Sequence, residues 1–292
     1  MKKYLANWQL IIVSLLFLSN FFVWYLVSKA DSRILTVSFL NVGQGDAILI
    51  EAPNGNQVLI DGGPGRKILS ELGQALPFYD RSIDLIIVTH PDSDHIGGLP
   101  LVLKNYAVVG FLEPEALPLR GEGPGVICDT AICEALETAV TAEGAQKITA
   151  HRGQVIQLGR GAELEILSPV GPMAGKDTNS ASVVAKLTYG ATSFLFTGDA
   201  PQATERQLIF ADGKNLDIEV LKVGHHGSDT SSAPEFLAAT SPEVAVISVG
   251  ADNRYGHPKT SVLDSLAKIG AKILRTDQQG RIEITSDGEK LF

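Results

Sequence analysis

The run Leu85-Ile86-Ile87-Val88-Thr89-His90-Pro91-Asp92-Ser93-Asp94-His95-Ile96-Gly97-Gly98 puts two imidazoles and two carboxylates into one turn directly after an apolar strand. Carboxylates crowded at a strand end lose solvation, and a counter-charge or a metal must replace it. The spacing suits divalent ions: His90 and Asp92 flank one residue, whereas Asp94 and His95 are adjacent, so each pair can face a different ion. Two ions about 3.5–4 Å apart are a common device for displacement at phosphorus or at a carbonyl. The plainer alternative is a solvated loop in which Asp92 or Ser93 caps a following helix.

Upstream of this loop, residues 34–40, 46–51 and 57–60 read as strands. Asn54-Gly55 gives the hairpin signal between the last two, and the second arm ends in Asp61-Gly62-Gly63. Residues 66–76 and 96–104 read as helices, 114–125 as a Pro- and Gly-rich surface loop, 130–142 as an amphipathic helix, and 148–168 as short strands. Then the pattern repeats. A second hairpin, 183–187 with 193–196, ends in Thr197-Gly198-Asp199. A helix (201–210) precedes a strand (218–223) that enters Gly224-His225-His226-Gly227-Ser228. A strand over 244–249, a helix over 261–269 and two short strands around Ile273 and Ile282 finish the chain.

Two sheets, each made from one half of the chain and covered outside by helices, would bring these strand ends to one edge. His90, Asp92, Asp94, His95, Asp199, His225, His226 and, more loosely, Asp61 and His257 would meet there. Of the six histidines only His151 lies elsewhere.

The 292 residues, 45% hydrophobic and 20% charged, are enough for one large domain. The N-terminus is separate: Lys2 and Lys3 precede an almost uncharged stretch from Leu10 to Ser28 with Trp8, Trp24 and Tyr25 at its margins. About 18 residues at 1.5 Å each just cross a bilayer core, and leading lysines stay cytoplasmic. The expected division is therefore 1–30 as a transmembrane signal-anchor and 31–292 as an extracytoplasmic domain. The small residues Ser28-Lys29-Ala30 leave secretion after signal-peptide cleavage as the alternative. Cys128 and Cys133 either form a short-loop disulfide, which suits an oxidising compartment, or stay free. Lys2, Lys3 and Lys29 take three of the 24 basic residues, so 31–292 keeps 21 against 33 acidic ones, a net of −12. Broad electrostatic capture of nucleic acid is excluded at that charge.

These motifs resemble the metallo-β-lactamase fold, a four-layer αββα sandwich. More closely, they resemble the extracellular metallo-β-lactamase domain of ComEC-type competence proteins, which take up transforming DNA. The resemblance rests on Phe39-Leu40-Asn41-Val42-Gly43-Gln44-Gly45-Asp46, Leu59-Ile60-Asp61-Gly62-Gly63 and the His90–Gly98 loop. It continues through Asn179-Ser180-Ala181-Ser182-Val183-Val184, Phe196-Thr197-Gly198-Asp199, His225-His226-Gly227-Ser228 and Tyr255-Gly256-His257-Pro258. It implies two divalent ions, zinc or manganese. His90 and Asp92 would hold the first, Asp94 and His95 the second, with Asp199 between them and one of His225 and His226 completing the second site. Neighbouring side chains in an extended segment point opposite ways, so both are not expected on one ion. Asp92, and the Asn179–Ser182 segment, stand where the wider fold has histidines, and oxygen ligands favour Mn²⁺ over Zn²⁺ at the first site. Asn41 replaces a usual Asp.

The expected activity is metal-dependent hydrolysis of a phosphodiester, as a nuclease tied to competence DNA processing. Asp94 or Asp199 would orient the nucleophile and His257 would protonate the leaving oxygen. Asp61, Asn179, Ser182, Lys222 and Ser228 are the candidates for support or substrate binding, Lys222 either meeting a phosphate or standing solvated. The alternatives are a hydrolase for a small cell-envelope phosphodiester or other ester, and a non-catalytic DNA-binding or assembly module. Competence-type proteins are the expected partners. One apolar segment is no multi-helix channel, so DNA transport is not expected of this chain alone.

Overall fold

The computed structural model describes residues 2–30, 33–114, 131–170 and 177–292, with side chains of the first stretch limited to 8–24. The expected surface loop over 115–125 and Cys128 lie outside these residues. Cys133 is disulfide-bonded.

The chain begins in α1 (Lys2–Ala30). Among the described residues no helix is long and apolar enough to cross a membrane, so the transmembrane span expected over Leu10–Ser28 is not found there. Residue 33 onward alternates between strands and helices. The first half gives β1 (Leu35–Phe39), β2 (Ile48–Glu51), β3 (Gln57–Ile60), α2 (Lys67–Ala75), β4 (Ser82–Ile87), α3 (Ser93–Ile96), α4 (Leu99–Asn105), β5 (Ala107–Pro114), α5 (Ala131–Glu143) and β6 (Gln146–Ala150). The second gives β7 (Val155–Gly159), β8 (Ala162–Ser168), β9 (Val184–Tyr189), β10 (Thr192–Phe196), α6 (Gln202–Asp212), β11 (Val220–Lys222), α7 (Pro234–Thr240), β12 (Val244–Ile247), α8 (Thr260–Lys268), β13 (Lys272–Arg275), α9 (Thr276–Gln279) and β14 (Ile282–Ser286).

The strands form two sheets, ordered β14-β1-β2-β3-β4-β5-β6 and β13-β12-β11-β10-β9-β8-β7. Each is antiparallel at one end and parallel at the other, the switch falling at β3–β4 and at β10–β11. Period-two alternation decides which core each residue joins. Val58 and Ile60 of β3 and Phe194 and Phe196 of β10 enter a core shared by the two sheets, where Phe39 and Phe196 meet with ring centroids 6.4 Å apart. Leu59 of β3 packs outward with α2, α4 and α5, and Leu195 of β10 packs outward with α6, α7 and α8. The result is the expected four layers, α-β-β-α. Each large apolar side chain buried this way contributes roughly 1.5–3 kcal/mol.

Several elements differ from expectation, the short helix α9 among them. β14 does not stay with its half but crosses to the first sheet and pairs antiparallel with β1. That register, Leu35 with Ser286 through Phe39 with Ile282, covers an edge that would otherwise lie open. β5 and α7, absent from the sequence reading, fill the parallel end of the first sheet and the outer layer of the second. Parallel strands need no local hairpin signal, which is why β5 left little trace.

Candidate metal centre

β4 ends at Ile87, and the chain passes through Thr89 and His90 into α3. Asp92 stands at the N-cap position of α3, yet its side chain makes no capping bond. Its Oδ2 lies 3.7 Å from His90 Nε2 instead, which argues against the solvated capping loop. Glycines let the neighbouring chain close in: a Cβ on Gly45 would fall 2.0 Å from the Asp94 carbonyl and one on Gly98 2.1 Å from that of Gly62. From the second sheet, β10 delivers Asp199 and β11 delivers Gly224–Gly227.

Four imidazoles surround the Asp199 carboxylate. The Nε2 atoms of His90, His95, His225 and His226 lie 3.9, 3.4, 3.6 and 3.6 Å from its oxygens. His226 Nε2 is also 3.3 Å from Asp94 Oδ2. The other nitrogen of each ring is engaged. Thr89 donates its backbone N–H and its hydroxyl to Asp61, at 2.8 and 2.6 Å, so its oxygen is left to accept from His90 Nδ1 at 3.0 Å. His95 Nδ1 donates to Asp61 at 2.8 Å and His226 Nδ1 to the Ser248 carbonyl at 2.9 Å. His225 Nδ1 and Thr230 Oγ1 are 2.9 Å apart. Such support fixes ring orientation and turns Nε2 toward the site.

The chemistry of this donor set can be tested on the atoms themselves. Nε2 of His90, His95 and His226 and Oδ1 of Asp199 are buried without a hydrogen-bond partner. Leaving one buried polar atom unsatisfied costs roughly 1–3 kcal/mol, and four converging on one point call for a cation. The side chains fit: His90, His95 and Asp199 form one potential ligand group, and Asp94, His95 and His226 another.

Charge tells the same story. Burial works against protonating His226, but Asp199 and Asp46 outweigh it and push its pKa up to about 9. His95 is raised well above the ordinary range, again against burial and because of Asp199 and Asp61. His90 is pushed down to about 4 by burial and by His95. Asp199, despite its burial, is held well below the carboxylate range by His226 and His95. Asp92 is raised by burial. Protons on His95 and His226 therefore occupy the places that ligands to a cation require, and binding an ion must release them, whereas neutral His90 already offers a bare Nε2.

His225 and His226 do not lie in an extended segment. Both adopt left-handed backbone, φ 48° and 55°, so adjacent side chains converge on Asp199 rather than diverge. His226 alone of the two groups with Asp94 and His95. Non-glycine residues seldom take this conformation, and no local sequence signal announces it.

The remaining candidates fall at different distances from the centre. Asp61 orients His95 and Thr89. Ser182 Oγ accepts from the Asp199 backbone N–H at 3.3 Å. Asn179 Oδ1 is buried without a partner. Ser228 reaches Thr230, not the centre, with 3.0 Å between their hydroxyls. His257 stacks on Tyr255 with centroids 5.9 Å apart, and its ring is 5.8 Å from that of His225. Burial and then His225 lower its pKa, so it is neutral at neutral pH and must take up a proton before it can donate one. Asn41 accepts from Lys67 Nζ at 2.9 Å, at the periphery.

Lys222 is the correction. It is neither solvated nor open to a phosphate: it is buried, with Nζ ion-paired to Asp46 and 3.5 Å from the Gly198 carbonyl. Asp46, whose Oδ1 lies 3.4 Å from His226 Nδ1, was not among the expected site residues. Its place after Gly43-Gln44-Gly45, where the chain closes on Asp94, was the available signal.

The comparisons agree with this geometry. A family model described as the metallo-β-lactamase superfamily matches residues 40–251. ComE operon protein 3 of Bacillus subtilis is 33% identical over 264 residues, 85% of this chain and 32% of that protein. Competence protein ComA of Neisseria gonorrhoeae is 31% identical over 263 residues, 90% of this chain and 34% of that one. The chain thus spans about a third of the length of these curated relatives. A solved metal-dependent hydrolase of the β-lactamase superfamily superposes with a TM-score of 0.54 at 12% identity, covering 87% of this chain and 100% of that one, which supports the fold alone. The chain belongs to the metallo-β-lactamase superfamily, generally metal-dependent hydrolases, and resembles the competence proteins within it.

Proposed function

We propose that the chain hydrolyses phosphodiesters, with a nucleic-acid strand as substrate and a place in competence DNA processing. The observation that carries the metal-dependent part is the set of buried, unpartnered Nε2 atoms of His90, His95 and His226 around Asp199. His90, Asp92 and Asp199 would hold one divalent ion, and Asp94, His95, His226 and Asp199 the other, with His225 beside Asp199. Such ions supply a water of lowered pKa and positive charge opposite the phosphoryl oxygens. Asp94 and Asp199 orient the attacking water. His257, neutral and with its Nδ1 free of partners, takes up a proton and returns it to the leaving oxygen. The carboxylate Asp92 in the first group favours Mn²⁺ over Zn²⁺ there. The names of the competence relatives supply the support for DNA.

The net charge of −12 after residue 30 favours a second reading, a smaller ester such as a cell-envelope phosphodiester. We also propose an extracytoplasmic place for the folded part. The N-terminal helix exposes Leu10, Leu16, Phe17, Phe21, Phe22 and Trp24, which suits contact with a lipid surface. Recovery in the membrane fraction, and protease accessibility from outside the cell, test this placement.

Metal analysis combined with turnover of single-stranded DNA, double-stranded DNA and bis(p-nitrophenyl) phosphate tests the activity. Metal-dependent turnover that Asp94→Ala and His95→Ala abolish is expected. Turnover of the small ester without DNA promotes the second reading, and no turnover on any substrate removes both in favour of a binding module.

A further inference from the structure

We propose that the cleft beside the metal centre is a subsite for one nucleoside and its flanking phosphate, with the Tyr255 ring as stacking platform and Arg254 as the phosphate's partner. The assignment rests on the phosphodiester reading above. The cleft has a volume of about 350 Å³ and is lined in part by Gln44, Ser93, Asp94, Asp252, Arg254 and Tyr255. It opens directly on Asp94, whose carboxylate lies 3.3 Å from His226 Nε2.

Three observations converge on a nucleoside. Tyr255 is 56% exposed, and its ring runs within 12° of parallel to that of His257. His257 in turn stands 5.8 Å from His225, so aromatic rings lead from the cleft mouth to the residues around Asp199. A base stacked on Tyr255 would therefore continue a line of rings that ends at the metal centre. Second, the Arg254 guanidinium lies 5.9 Å from the Tyr255 ring centroid, and among the described residues it makes no hydrogen bond or ion pair. In a domain with so large an acidic excess, an arginine unclaimed by any carboxylate is available to an anion. Third, Asp252 lines the same cleft and offers an acceptor to the N–H or hydroxyl groups of a nucleoside.

The size and charge of the cleft also restrict the substrate. Ligand sites start at about 300 Å³, which suits a single nucleoside here. Duplex binders neutralise roughly 6–10 phosphates, and this cleft offers one arginine. The substrate is consequently a short or single-stranded chain, engaged on the Asp94 side of the metal centre.

Calorimetric binding of the full chain, metal-free and Mn²⁺-loaded, to the dinucleotide d(pTpT) tests the subsite. A hydrolysis-resistant phosphorothioate linkage keeps the ligand intact, and an analogue lacking one base serves as reference. Wild type is expected to prefer the base-bearing ligand by roughly ten- to a hundredfold, the range of one base stacked on an aromatic ring. Tyr255→Leu should remove that preference, and Tyr255→Phe should retain it. Arg254→Gln should weaken the 5′-phosphorylated ligand about tenfold and its dephosphorylated form by less than twofold. Far-UV circular dichroism of each variant confirms that it folds, as the exposure of Tyr255 predicts. Equal affinity of wild type for both ligands, or a preference surviving in Tyr255→Leu, overturns the subsite. Base preference without turnover of any phosphodiester removes the activity reading and leaves the subsite standing, whereas turnover without base preference sinks the subsite alone.

Discussion

In the first half of the molecule a parallel strand, β4, runs through His90 and the extended residue Asp92 into a helical turn that carries Asp94 and His95. In the second half the equivalent strand, β11, runs into a left-handed turn, where His225 and His226 hold φ 48° and 55°. Both loops present imidazole Nε2 to Asp199, but the second does so through backbone that costs of order 1–3 kcal/mol per residue. Strain of that size persists only where the surroundings over-determine it. Here Thr230 and the Ser248 carbonyl hold the two rings, and Lys222, at the end of β11, is locked to Asp46 of the first half. Both loops are held from outside: Asp61 fixes Thr89 and His95 of the first, and the Ser248 carbonyl fixes His226 of the second, but only the second needs left-handed backbone to aim its rings.

The largest effect is expected where the halves meet. Asp199→Ala removes the carboxylate that four imidazoles face, and metal content and turnover should both fall by at least about a thousandfold in affinity and rate terms, measured by metal analysis and a phosphodiesterase assay. Retained metal in this variant would mean that each half binds alone. Next comes the buried ion pair. Lys222→Met leaves buried Asp46 with only His226 and His95 as positive neighbours and should cost roughly 3 kcal/mol in chemical denaturation, while the double variant with Asp46→Leu should recover much of that loss. An unchanged midpoint would show that the second loop needs no anchor in the first half.

The third effect is a pH dependence. His226 sits near 9 in the fold against about 6.5 in an unfolded chain, so its contribution is full below pH 6.5 and disappears as pH rises toward 9. Thermal melts of the chelated protein should therefore lose up to a few kcal/mol across that window. Metal affinity should rise over the same window, because the ion no longer competes with a proton. The smallest effect separates the loops themselves. Thr230→Val frees His225 Nδ1, and because that ring touches Asp199 without joining either ligand group, metal affinity should fall by less than about tenfold in a competition titration with a chelator.

Much of the first loop was legible because its information is local. An apolar strand followed by His90, Asp92, Asp94 and His95 carries its meaning in spacing, and Asp199 follows a hairpin that repeats the one before Asp61. The two sheets with helices outside followed from the repeated hairpin, strand and helix order of the two halves, and the four-layer arrangement from the family resemblance. Three features carried no local signal. The left-handed backbone at His225 and His226 had no local signal, so the extended reading missed that both rings face Asp199, although His226 alone groups with Asp94 and His95 as that reading preferred. Burial of Lys222 depends on Asp46, which lies in the other half of the chain, and its position on β11 looked as suitable for solvent as for core. The crossing of β14 to the first sheet is likewise a property of the closed sandwich, since a single short strand of five residues fits either edge.

Side chains from both halves are expected to hold two divalent ions against Asp199. Anomalous diffraction at the manganese and zinc edges, from crystals of the metal-loaded chain, tests this most directly. Two peaks per chain are predicted, one beside His90 and Asp92, the other beside Asp94, His95 and His226, both in contact with Asp199. A single peak away from Asp199, or none at saturating metal, would contradict the account.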